Sequence, residues 1–120
     1  MDFYFEKEDL AKFGAGIIGE DSGELWDKFI EYYGNVFDEG ALTAREKSLI
    51  ALAVAHTVQC PYCIDAYTNA TLGHGCDQDQ IMEAIHVAAA IKAGATLAFG
   101  VQSKNISNKL TMKYIKYTRK

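Results

Sequence analysis

The chain has 120 residues, of which 49% are hydrophobic and 23% charged, and a formal net charge of −4. That length fits one domain with its own core, and that hydrophobicity excludes disorder as the main state. One proline and ten glycines exclude a collagen-like or proline-rich chain, and the acidic balance argues against a general nucleic-acid binder.

The N-terminus, Met1-Asp2-Phe3-Tyr4-Phe5-Glu6, is acidic and has no signal-peptide core. No apolar run reaches the roughly 18 residues that a membrane span needs. The expectation is a cytoplasmic protein without a membrane partner. Charge is unevenly spread: −8 over residues 1–46, −2 over 47–103 and +6 over 104–120. This divides the chain into a main domain, 1–103, and a basic tail, 104–120. The tail is either a solvated face or an arm that docks on an acidic surface, its own or a neighbour's.

Leu25, Trp26, Phe29, Tyr32, Tyr33 and Val36 recur at steps of three and four, which predicts a helix from about residue 22 with Ser22 as N-cap. Gly34 and Gly40 read as its end and a turn. Thr43-Ala44-Arg45-Glu46 is a capping box. The run from Ser48 to Val58 is apolar on nearly every side, which predicts a buried helix. Pro61 suits the first turn of a new helix that carries Ile64, Tyr67, Thr68, Thr71 and Leu72 and stops at Gly73 and Gly75. Asp77 to Gln80 caps a further helix with Ile81, Ile85, Ala88, Ala89 and Ile91, predicted to break near Gly94. Ala95 to Val101 reads as one more helical stretch, and Leu110 to Tyr117 as helix or extended arm. No strand signal occurs, so the predicted class is all-α.

The residues that suggest chemistry are three cysteines. Cys60 and Cys63 form a C-x-x-C at a helix start, where first-turn N–H groups and the helix dipole favour an anion and should lower a thiol's pKa. The spacing also lets the sulfurs meet in a disulfide. A second reading makes the pair part of a metal site completed by Cys76 and His74, and a third leaves the cysteines inert. Around the pair, Glu46 is either the capping carboxylate or a catalytic group. His56 is a core histidine or a base near the thiols. Tyr67, on the face of Cys63, is a core aromatic or a site residue. Tyr62 is expected to shape a pocket, and His86 to pack or lie at an interface.

The segment from Leu42 to Tyr67, with its capping box, apolar helix and Cys60-Pro61-Tyr62-Cys63, resembles the carboxymuconolactone decarboxylase / alkylhydroperoxidase D superfamily. Phe13-Gly14, Glu24-Leu25-Trp26 through Tyr33-Gly34, and Ala84 to Ala90 look most like its arsenosugar biosynthesis-associated peroxidase-like branch. The resemblance covers about residues 2–103. It implies an all-α helical bundle, an obligate homo-oligomer (trimer or hexamer), and thiol-dependent hydroperoxide reduction without a cofactor or metal. It makes Cys63 peroxidatic and Cys60 resolving, and it implies a hydroperoxide substrate and a dithiol reductant as partners. The family's relay is a glutamate, eleven residues, C-x-x-C, three residues and a histidine. Here Ser48 stands at the glutamate position and Tyr67 at the histidine position. Other readings are disulfide exchange, a soft-metal or trivalent-arsenic binding protein, and a decarboxylase-like lyase.

Overall fold

The structure, a computed structural model, describes residues 8–118. It contains α1 (Asp9–Gly14), a short 3-10 turn (Ile17–Glu20), α2 (Gly23–Phe37), α3 (Ala44–Thr57), α4 (Pro61–Gly73) and α5 (Gln78–Thr118). No strand occurs among the described residues, as the all-α expectation requires.

Several helix ends follow the sequence signals. Thr43 and Glu46 form a reciprocal capping box: Glu46 N–H donates to Thr43 Oγ1 at 3.1 Å and Thr43 N–H donates to Glu46 Oε1 at 2.9 Å. Asp77 and Gln80 repeat the arrangement at the start of α5, at 2.8 and 2.9 Å. Pro61 opens α4, and Gly75, at φ +82°, makes the left-handed turn after it.

Others differ. Ser22 is the N-cap of α2, but its hydroxyl donates back to the Ile18 carbonyl at 2.8 Å rather than accepting from the helix. Gly34 does not end α2, which runs on to Phe37. A mid-helix glycine costs only about 1 kcal/mol. Against that cost, the Phe37 ring is held between Tyr33 and Tyr67, and Lys47 Nζ donates to the carbonyls of Val36 and Asp38 at the helix end. Nor does Gly94 break the last helix. α5 is continuous for 41 residues, passing through residue 103 into the basic segment without a boundary.

α3 is the centre of the fold and packs on both α4 and α5. It is not buried all round, as its composition predicted: Ser48, Leu52 and Ala55 are buried, while Ile50 and Val54 are about half exposed. The core they anchor is small, with Leu52, Ala55, Cys76, Ile81 and Ala88 as its buried apolar residues. Leu52 is fully enclosed. Leu52→Ala is therefore expected to cost about 2–5 kcal/mol, read as a lower urea midpoint at fixed protein concentration.

The end of α5 has no such packing. From Ala89 to Tyr114 every described side chain is exposed. The radius of gyration is 21.7 Å, against about 14 Å for a compact chain of this length. By length and composition α5 also contains a segment apolar enough to cross a membrane, with a mean hydropathy of 1.6. That corrects the sequence expectation. Lys92 and scattered Thr and His residues interrupt the apolar run without lowering its mean much.

Candidate thiol site

The joint between α3 and α4 places the cysteines. α3 ends in a Schellman arrangement: Cys60 N–H donates to the Ala55 carbonyl at 3.1 Å and Gln59 N–H to that of His56 at 3.3 Å. Gln59 occupies the left-handed position with φ +57°, where glycine is the usual residue. Backbone strain of this kind clusters at functional sites. Gln59→Gly is expected to relieve about 1 kcal/mol, seen as a raised melting temperature.

Cys60 is the N-cap of α4, and its sulfur accepts the Cys63 N–H at 3.3 Å. Cys63 sits one turn inside the helix, and here the expectation of an acid-shifted thiol fails. Burial, a hydrogen bond to Cys60 and the charge of Cys60 push the Cys63 thiol up to about 11, opposed only by a backbone hydrogen bond. Both cysteines are partly buried and reduced.

Two cavities meet at Cys63. The larger, about 400 Å³, is an almost wholly apolar trough between α2, α3 and α4 that includes Phe37, Ile50, Val54 and Tyr67. The smaller, about 200 Å³, is lined by aromatic rings, among them Phe13, Trp26, Phe29 and Tyr62. Tyr33 and Cys63 are the two residues that face both cavities.

A chain of ring contacts surrounds this partition. Starting at Tyr62, it runs through Phe13, Trp26, Phe29, Tyr33 and Phe37 and returns to α4 at Tyr67, with centroid separations of 4.7–5.7 Å. Edge-to-face and offset contacts of this kind each contribute about 0.5–1.5 kcal/mol beyond burial. They tie α1 and α2 across the cysteine pair. Gly19 makes room for the belt: a Cβ there would stand 2.6 Å from Trp26 Cδ1.

The residues singled out in the sequence are only partly brought together. Cys60, Cys63, Tyr62 and Tyr67 share the site. Tyr67, at the relay-histidine position, lies stacked on Phe37 at 5.2 Å. His56 is elsewhere: its Nδ1 is 2.9 Å from the Leu52 carbonyl, and it faces a separate cavity between α3 and α5 with Ile85, Ala88 and Lys92. Glu46 is committed to Thr43, whose hydrogen bonds hold its carboxyl below the usual range. Ser48, at the relay-glutamate position, is buried and donates to the Arg45 carbonyl at 2.7 Å. His86 is exposed on α5. Cys76 is buried in the turn before α5, and no group of three or more metal-ligating side chains occurs among the described residues. The proposed Cys76–His74 completion of a metal site therefore does not form.

The sequence assigns Tyr33 to the packing stripe of α2, whereas the structure places it on both cavities beside the pair. The signal was its hydroxyl, a polar group on an otherwise apolar helix face.

Most of the chain is similar to known proteins. The profile of the carboxymuconolactone decarboxylase family matches residues 23–102. A Paracoccus denitrificans protein named uncharacterized protein 4 in cox locus is 49% identical over 87 residues, which span 70% of this chain and 78% of that one. A crystal structure of a protein from Methanobacterium thermoautotrophicum superposes with a TM-score of 0.66 at 32% identity, over 69% of this chain and 93% of the other. The matched region runs from the start of α2 through the thiol joint into α5, and by it the chain belongs to the carboxymuconolactone decarboxylase family.

Proposed function

We propose that the chain is a thiol oxidoreductase that reduces hydroperoxides through Cys63 and Cys60. The observation that carries this reading is the division of labour between the sulfurs: Cys63 faces the cavities, whereas Cys60 sits at the N-cap and receives the Cys63 N–H. In the reaction, the Cys63 sulfur attacks the terminal peroxide oxygen. An S–O bond forms, the O–O bond breaks, and the alkoxide takes a proton to leave as alcohol. The Cys60 sulfur then attacks the Cys63 sulfenic acid: the S–S bond forms, the S–O bond breaks, and the proton held by Cys60 passes to the departing hydroxide, which leaves as water. An external dithiol reduces the disulfide by exchange. With Cys63 raised, its proton must move as attack proceeds, and the Cys60 sulfur hydrogen-bonded to it is positioned to receive it.

The finer kinship with the arsenosugar-associated peroxidase-like proteins rests on the resemblance of the Glu24 to Gly34 and Ala84 to Ala90 segments alone. The test is direct. Reduced protein mixed with one equivalent of tert-butyl hydroperoxide should lose two thiols, and the peptides holding Cys60 and Cys63 should be two hydrogens lighter. Oxidation confined to Cys76, or mixed disulfides only, would refute the assignment.

The same reading includes self-assembly, in a cytoplasmic setting. The exposed side chains Ile91, Leu97, Phe99, Ile106, Leu110 and Met112 lie along the far half of α5. An apolar surface this long marks an interface. A second copy suits it because α2 and its flanks carry the acidic residues that the basic end of α5 lacks.

A further inference from the structure

We infer that Tyr33 is the proton donor of the thiol site: Tyr33, which with Cys63 lines both cavities, protonates through its hydroxyl the alkoxide released when Cys63 cleaves a hydroperoxide. The inference rests on Cys63 being the attacking sulfur.

Peroxide cleavage by a thiolate leaves an electron pair on the distal oxygen. The conjugate acid of an alkoxide is about as weak an acid as water, so the alkoxide is a strong base. The apolar lining of the trough gives such an anion little stabilisation, so departure without a proton is slow. The family's histidine position cannot supply one here, because it is Tyr67 and its ring is stacked on Phe37. Lys47 faces the larger cavity, but its ammonium is engaged by the carbonyls of Val36 and Asp38. Tyr62 faces only the smaller cavity, and His56 faces neither.

Tyr33 alone among these groups reaches both cavities together with Cys63. Among the described residues its hydroxyl makes no hydrogen bond. The ring is held from both sides, by Phe29 at 5.6 Å and Phe37 at 4.9 Å, which fixes the direction of the hydroxyl. Burial and the nearby Cys63, Tyr62 and Cys60 raise its pKa above the usual phenol value. At neutral pH the group is therefore an acid holding its proton, and transfer from a phenol to an alkoxide runs downhill. In the step, the phenol O–H breaks as the alcohol O–H forms, and water later returns the proton to the phenolate.

A proton donor is distinguished from a packing residue by its leaving-group dependence. Peracetic acid releases acetate, a weak base that leaves without protonation. The experiment compares full-length wild type, Tyr33→Phe and Tyr32→Phe by stopped flow, with tert-butyl hydroperoxide and with peracetic acid. Tyr32 is 68% exposed on the same helix and serves as control. Phenylalanine retains the ring contacts, and helicity by circular dichroism checks the fold. Tyr33→Phe should react about a hundredfold more slowly with the alkyl hydroperoxide and within a few-fold of wild type with the peracid, while Tyr32→Phe matches wild type with both. Equal slowing with both oxidants would make Tyr33 structural and overturn the inference, as would no slowing with either. If wild type itself reacts with neither oxidant faster than a free thiol, the peroxidase reading fails and the role of Tyr33 falls with it.

Discussion

Cys63→Ser is expected to abolish hydroperoxide consumption, leaving only the background rate of an unactivated thiol. Serine keeps the shape of the side chain and the helix, so the loss would report chemistry and not folding. Cys60→Ser should behave differently. It retains the attacking sulfur and loses the resolving one, so one turnover should leave a single sulfenic acid on Cys63, trapped by dimedone and located by mass spectrometry. The same variant tests the electrostatics. The hydrogen bond to Cys60 and its charge both raise the Cys63 pKa, after burial, from its ordinary value to about 11. Serine keeps an acceptor at that point but removes the charge, so the pKa should fall. Below that pKa, each unit of decrease gives about ten times more thiolate. Iodoacetamide should therefore alkylate Cys63 of Cys60→Ser faster at pH 8 than it alkylates Cys63 of the wild type. A dimedone adduct on Cys60 in the Cys63→Ser protein, with turnover retained, would reverse the two roles.

The sequence made local features legible where a short-range rule applies. Thr43 with Glu46, Asp77 with Gln80 and Pro61 at a helix start each act within one turn, and each forms as read. It failed where a residue's local preference was overridden by neighbours. Gly34 and Gly94 look like stops, but α2 is held past the first by Phe37 and Lys47, and α5 continues past the second. At the site, the cysteine pair at a helix start follows from Pro61 and the C-x-x-C spacing. The direction of the Cys63 shift does not, because it depends on how deeply α2 covers that sulfur. The position of Tyr33 was hidden for the same reason: a periodic stripe says which face of α2 is apolar, not which of its rings meets α4. His56 and Glu46 were drawn to the thiols by closeness in sequence. A helix separates them by direction, and His56 turns toward α5 while Glu46 closes its own cap.

The largest physical effect outside the thiols is expected from a charge placed on the far half of α5. Phe99 is 69% exposed in the single chain. Phe99→Asp should thus leave the fold of one chain within about 0.5 kcal/mol, as for other surface changes. If a second copy covers this face, the same carboxylate must be desolvated against apolar side chains, which costs several kcal/mol. The two situations differ by orders of magnitude in the association constant. Wild type, sedimented at micromolar concentration without detergent, should run well above its 13.3 kDa chain mass. Phe99→Asp should shift to the single chain with its helicity retained. Charge pairs between the basic end of α5 and acidic α2 would be exposed, weak and screened, at about 0–1 kcal/mol each. Half-molar salt should therefore leave the wild-type assembly intact where the single aspartate does not, because burial of the apolar face would carry the association and charge would set only its register. A wild-type protein that is monomeric at low salt would refute the assembly, and one that partitions into lipid vesicles as a single chain would assign the face to a membrane.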